Sequence, residues 1–144
     1  MTKDRESLLA GYRLEDQVGF HLRRAGQRHG AIFASYMQDL TPTQWAALVK
    51  LAEFESVSQN LLGRETAMDG ATIKGVVDRL VKRGLAATAH DPTDGRRMLV
   101  SITPEGLDAV ARGVQPAAAI TEETLQPLDS AERRLLLNLL QRIA

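Results

Sequence analysis

Apolar residues recur along the chain at helical spacings, broken once by a stretch with strand character. From Arg13 to about Gln38, Leu14, Val18, Leu22, Ala25, Ile32 and Tyr36 fall at steps of three, four and seven, predicting one long helix with a stripe toward a core. Gly19, Gly26 and Gly30 interrupt it, each costing up to about 1 kcal/mol relative to Ala, so this helix needs packing partners. Thr41-Pro42-Thr43-Gln44 holds every part of a helix start: Thr41 to cap, Pro42 at the first helical position, Gln44 to complete a capping box. Trp45, Leu48, Val49 and Ala52 follow as its apolar face. Ser58 is placed to cap a short helix through Leu61, Leu62 and Glu65, and Asp69 to cap the next. That helix buries Ile73, Val76, Val77 and Leu80 and is closed by Gly84. The tight Ala67-Met68 connection makes the pair a helix-turn-helix candidate.

After Gly84 the pattern changes. Leu85-Ala86-Ala87-Thr88-Ala89 and Met98-Leu99-Val100-Ser101-Ile102 are short β-like runs around Asp91-Pro92-Thr93-Asp94-Gly95-Arg96-Arg97. Pro presets φ and Gly accepts positive φ, so the segment reads as a hairpin, with Arg96 and Arg97 at its tip as a cationic finger. Thr103-Pro104-Glu105 opens a further helix bearing Leu107, Val110, Ala111 and Val114, which Pro116 is expected to kink or interrupt. Asp129-Ser130-Ala131-Glu132 is a capping box for a last helix with Leu136, Leu139, Leu140 and Ile143 on one face. Leu135 and Leu137 widen that face, which is expected to pack against a second subunit. The predicted fold is all-α with a small β-hairpin wing, a single domain over residues 1–144.

Composition narrows the chemistry. With 144 residues, 44% hydrophobic and 25% charged, the chain is long enough for a core without disulfides or metal. No apolar run of about 18 residues suggests a membrane span, so a soluble cytoplasmic protein is expected. The absence of cysteine excludes disulfides, thiolate nucleophiles, Cys-ligated metals and thiol redox sensing. His21, His29 and His90 lack metal-ligand spacing, and no cofactor is expected. Net charge is zero, but Arg64 to Arg97 holds seven basic against five acidic residues, while Ser101 to Ala144 holds four against six. This mild asymmetry permits a DNA-facing side.

The order of elements and several motifs resemble the MarR (multiple antibiotic resistance regulator) family of winged-helix transcription factors. The resemblance rests on Leu40-Thr41-Pro42-Thr43-Gln44-Trp45 and on Val77-Asp78-Arg79-Leu80-Val81-Lys82-Arg83-Gly84-Leu85. It continues through Asp91 to Arg97, Leu99-Val100-Ser101-Ile102-Thr103-Pro104-Glu105-Gly106, and Leu128-Asp129-Ser130-Ala131-Glu132-Arg133. It implies a winged helix-turn-helix over 40–103, and a homodimer built from N- and C-terminal helices, here 1–39 and 104–144. It also implies recognition helices about 34 Å apart on a near-palindromic double-stranded operator, one turn of DNA. A small molecule bound between the two parts would favour a spacing that no longer matches successive grooves, relieving repression.

On the recognition helix the resemblance puts Gly70, Ala71, Thr72 and Lys74 at base edges; Thr72 suits a base or a thymine methyl, Lys74 a guanine or a phosphate. Arg79 either reaches DNA or pairs with Asp78 or Glu65. Arg96 and Arg97 are either solvated turn charges or wing residues in the minor groove, where negative potential concentrates, with Asp94 orienting Arg96. The first helix carries His21, Arg23, Arg24, Arg28 and His29. Its arginines could take an effector's carboxylate or phosphate against a wall of Phe20 and Trp45, or could form a polar face with interface salt bridges, Trp45 lying in the core. The Leu14 to Arg24 opening resembles regulators of aromatic-compound breakdown, implying an aromatic acid or its coenzyme A thioester as effector. The alternative is a constitutive winged-helix DNA-binding protein. No activated nucleophile, paired acid and base, or phosphate-cradling loop points to an enzyme.

Overall fold

The computed structural model describes residues 4–144. In chain order it contains α1 (Arg5–Leu9), a 3-10 turn (Leu14–Asp16), α2 (Val18–Tyr36), α3 (Pro42–Phe54), β1 (Ser56–Ser58), α4 (Gln59–Glu65) and α5 (Gly70–Lys82). Then come β2 (Ala86–His90), β3 (Met98–Ile102), α6 (Pro104–Leu125) and α7 (Ser130–Ile143).

The predicted helix from Arg13 is thus divided, and α2 begins only at Val18. Gln17 is extended, and its side-chain amide donates to the Arg13 carbonyl at 2.8 Å, while the His21 ring bonds the Glu15 carbonyl. Those carbonyls are the ones a continuous helix would bond internally. The stripe on α2 also faces the other way from expectation. Ile32 is buried, but Leu14, Val18, Leu22 and Tyr36 are between 44% and 66% exposed.

The cap signals hold. The Gln44 N–H donates to Thr41 Oγ1 at 3.2 Å and Gln44 Oε1 accepts from the Thr41 N–H at 3.1 Å. At the last helix the Glu132 N–H donates to Asp129 Oδ1, and the Asp129 N–H to Glu132 Oε1, both at 2.9 Å. Helix α5 ends in a Schellman motif: Gly84 has φ +75°, its N–H reaches the Val81 carbonyl, and the Leu85 N–H reaches the Leu80 carbonyl. Leu85 is spent on that closure, so the strand starts at Ala86, one residue later than expected.

The hairpin is part of a larger sheet. β1 adds to the far side of β3, giving the antiparallel order β1-β3-β2, with Val57 opposite Val100 and Thr88 opposite Val100 on the other side. Three residues are too few for alternation to register, and β1 was not visible in the sequence pattern. Pro116 does not interrupt α6, which runs unbroken from Pro104 to Leu125. The lost backbone donor is outweighed by packing against α2 and α3 and by pinning of the far end. There, Arg28 donates to the Thr124 and Glu123 carbonyls at 2.7 and 3.0 Å, and Arg133 Nε to the Leu125 carbonyl at 3.1 Å.

The most deeply buried side chains are Leu48 and Leu51 of α3, Leu62 of α4, Ile73, Val77 and Leu80 of α5, and Val100 of β3. The core therefore sits under the helix-turn-helix and sheet. Helices α1 and α7 bury no residue of their own.

Candidate nucleic-acid interface

Helices α4 and α5 meet closely. A side-chain carbon on Gly63 would lie 3.1 Å from both Ile73 Cγ2 and the Met68 carbonyl. The turn between them is made by Ala67 at φ 56° and by the Met68 N–H donating to the Gly63 carbonyl at 2.8 Å. Asp69 then opens α5, its carboxylate accepting the Thr72 N–H at 2.8 Å. That bond is the first cause holding the Asp69 carboxyl below its ordinary value.

With Ile73, Val76, Val77 and Leu80 turned inward, Gly70, Ala71, Thr72, Lys74, Asp78 and Arg79 stand exposed on α5. Gly75 has open space where its side chain would be. Lys74 Nζ lies 2.9 Å from Asp78 Oδ2, an i,i+4 pair. The partner considered for Arg79 is therefore taken, and Arg79 has no ion pair with Asp78 or Glu65 among the described residues.

The wing loop is ordered by its aspartates. The Asp91 carboxylate accepts from the Thr93 N–H and hydroxyl at 2.9 and 2.8 Å, and lies 4.0 Å from Arg97 Nε. The Thr93 bonds chiefly, and the Arg97 charge after them, keep its carboxyl below the ordinary range. Asp94 accepts the backbone N–H of Arg96 at 3.1 Å, so it orders the chain at Arg96 and does not grip the guanidinium as expected. A carboxylate two residues away closes an Asx turn with that N–H more readily than it meets the longer side chain. Arg97 lies on the returning leg, opposite Asp91, while Arg96 sits in the centre of the Asp94–Arg97 turn. Gly95 is not among the glycines of positive φ, which are Gly11 and Gly84. The loop is long enough to close without it. Arg64 of α4, which entered the sequence reading only through its charge, lies with Gln59, Asn60, Arg96 and Arg97 around one groove.

The first-helix candidates separate. Arg24 stacks over Phe20 at 5.6 Å, and Phe20 meets His21 edge-on at 5.3 Å. Arg23 is exposed on α2, while Arg28 serves the α6 carbonyls. Trp45 packs beneath Gly113 of α6, where a side-chain carbon would overlap its ring. The joint wall of Phe20 and Trp45 is absent among the aromatic contacts of the described residues. A pocket of about 270 Å³ lies instead between the end of α2, the 38–40 linker, the α5–β2 corner and α6. Tyr36, Arg83 and Arg112 line it, and none of the first-helix candidates does. Arg83, the cap residue of α5, also donates to the Asp39 carbonyl. A hydrogen bond to Glu123 and that residue's charge raise the Tyr36 hydroxyl above its ordinary value. Among the described residues no acidic or histidine cluster is arranged for a metal ion, and no helix is long and apolar enough to cross a membrane.

Residues 38–97 match the model of the MarR family. The repressor NicR of Pseudomonas putida is 37% identical over 134 residues, covering 92% of this chain and 85% of its own length. A crystal structure of a probable transcriptional regulator from Pseudomonas aeruginosa is 53% identical, with TM-score 0.88, over 92% of this chain and all of the other. BpsR of Bordetella bronchiseptica, whose DNA binding is regulated by 6-hydroxynicotinic acid, is 40% identical with TM-score 0.88 over 92% of this chain and 96% of its own. A helix-turn-helix and wing built as described, together with likeness along nearly the whole chain, place this protein in the MarR family of DNA-binding transcriptional regulators, which are not enzymes.

Proposed function

We propose that the chain is a homodimeric, sequence-specific repressor whose residues 40–103 bind a near-palindromic operator and whose residues 1–39 and 104–144 hold the two subunits together. The observation that carries this is the exposed, short-side-chain face of α5 beside an arginine-bearing wing. Gly70, Ala71 and Gly75 let the backbone approach the major groove, Thr72, Lys74 and Arg79 supply polar contacts, and Lys74 exchanges Asp78 for DNA. Asp94 shapes the wing that presents Arg96 and Arg97.

The effector is a small aromatic acid. Arg83 and Arg112 offer cations in the pocket between the two parts, and about 270 Å³ suits a single ring. Regulation of BpsR by 6-hydroxynicotinic acid supports this class. The cluster of Phe20, His21, Arg23 and Arg24 is the second candidate surface; Arg28 and Trp45 are occupied by packing.

The test is a titration against a duplex from the gene's own upstream region, beside a scrambled one, at near-physiological salt, with and without 6-hydroxynicotinic acid. Tight binding to the upstream duplex alone, weakened by Arg96→Ala and released by the acid, is expected. Binding that no aromatic acid alters would leave a constitutive DNA-binding protein. Failure to bind any genomic fragment sinks the DNA reading.

A further inference from the structure

We propose that the groove between α4 and the root of the wing seats one phosphate of the DNA backbone, with Arg64 as its anchor; this rests on the DNA-binding reading above. The groove encloses about 300 Å³ and is lined by Ser58, Gln59, Asn60 and Arg64 on one side and by Arg96, Arg97 and Met98 on the other. Three arginines from two separate elements thus line one space that no acidic residue lines. Of the wing's acids, Asp91 reaches Arg97 at 4.0 Å and is already engaged with Thr93, while Asp94 accepts the Arg96 backbone N–H at 3.1 Å. Arg64 and Arg96 have no side-chain partner among the described residues, and both are exposed.

In a chain of zero net charge, three arginines around one groove, two of them without an ion-pair partner among the described residues, do not follow from composition. Their mutual repulsion is relieved when an anion enters, and the planar fork of a guanidinium matches two oxygens of a phosphate. The Gln59 and Asn60 amides add donors that accommodate the remaining oxygens. The backbone of a duplex is the source favoured over a free anion. The groove joins the helix that precedes α5 to the wing, the two elements that flank the reading helix, and it opens to solvent. A phosphate held there fixes the register of α5 and carries no sequence information of its own.

The experiment measures affinity of the full chain, wild type, Arg64→Ala and Arg64→Lys, for the upstream and scrambled duplexes between 50 and 200 mM salt. Losing one phosphate contact should reduce the slope of log K against log salt by about 0.9 per bound protomer, about 1.8 for the dimer, so Arg64→Ala loses about twelvefold less affinity across that range than wild type. The reduction should be equal on both duplexes, and Arg64→Lys should retain most of the slope. Circular dichroism should show both variants folded, since the side chain touches nothing in the core. An unchanged slope in Arg64→Ala, with wild type still binding, overturns the seat and leaves the DNA reading intact. A loss confined to the upstream duplex also overturns it, since Arg64 would then read bases. Wild type binding neither duplex removes both readings. Submillimolar binding of inorganic phosphate to the free protein, lost in Arg64→Ala, would assign the groove to a free anion and overturn the DNA assignment.

Discussion

Gly106 sits where α6 leaves the sheet, and a side-chain carbon there would overlap the Leu85 carbonyl oxygen and crowd Ile102. Neither neighbour yields easily: Leu85 is locked into the end of α5, and Ile102 into the β2 pairing. Gly106→Ala is expected to destabilise the protein by roughly 1–3 kcal/mol or more, read by urea unfolding. Thr103 serves the same junction, accepting the Gly106 N–H at 3.1 Å and donating to the Gly84 carbonyl at 2.7 Å. Its replacement by Ala should cost about 1 kcal/mol. The cap at Asp69 carries a pH signature. Its folded-state carboxyl lies below the ordinary 3.8, so its contribution is complete above that value and is lost as pH falls through the lowered one. Asp69→Asn keeps a capping oxygen and removes the titration. Its melting temperature should therefore fall less steeply than that of wild type below about pH 4, and parallel acid limbs would contradict the assignment.

At the scale of elements, α5 is a compromise between stability and approach. Gly75 costs helix stability, yet nothing in the folded chain requires its lack of a side chain. Gly75→Ala should raise stability by up to about 1 kcal/mol and weaken operator binding, because the methyl stands on the face offered to the major groove. A variant that is more stable and binds as well as wild type would move the contact face elsewhere on α5. The buried face of this helix was legible from period alone, since Ile73, Val76, Val77 and Leu80 form an unbroken 3.6-residue stripe. The period of α2 marks a stripe but does not say which way it faces, and on the single chain Val18, Leu22 and Tyr36 are exposed. The strand β1 was missed because it is defined by its bonds to β3 and not by a pattern of its own.

For the whole molecule, the exposed apolar residues decide the assembly. Leu8, Leu9, Tyr12, Val18, Val114, Leu135, Leu137 and Ile143 are each more than half exposed, and all but Val114 lie before residue 19 or after residue 134. Surface of that kind at both ends of one small chain needs covering. Sedimentation should therefore give about twice the 15.8 kDa chain mass. Leu135→Glu with Ile143→Glu should shift the protein toward monomer and weaken operator binding with it. A wild-type monomer at micromolar concentration would refute the dimer.

The sequence by itself determined the helices from α3 onward, their caps, the helix-turn-helix and the position of the wing, because hydrophobic period, capping side chains and turn residues act over three to seven residues. It also excluded thiol chemistry outright. Only the tertiary structure decided which charges are free. Arg28 is consumed by the end of α6, while Arg83 and Arg112 share a pocket and Arg64 joins Arg96 and Arg97. Those groupings join residues tens of positions apart, and no local pattern encodes a partner that only the packing of α2, α4 and α6 brings within reach.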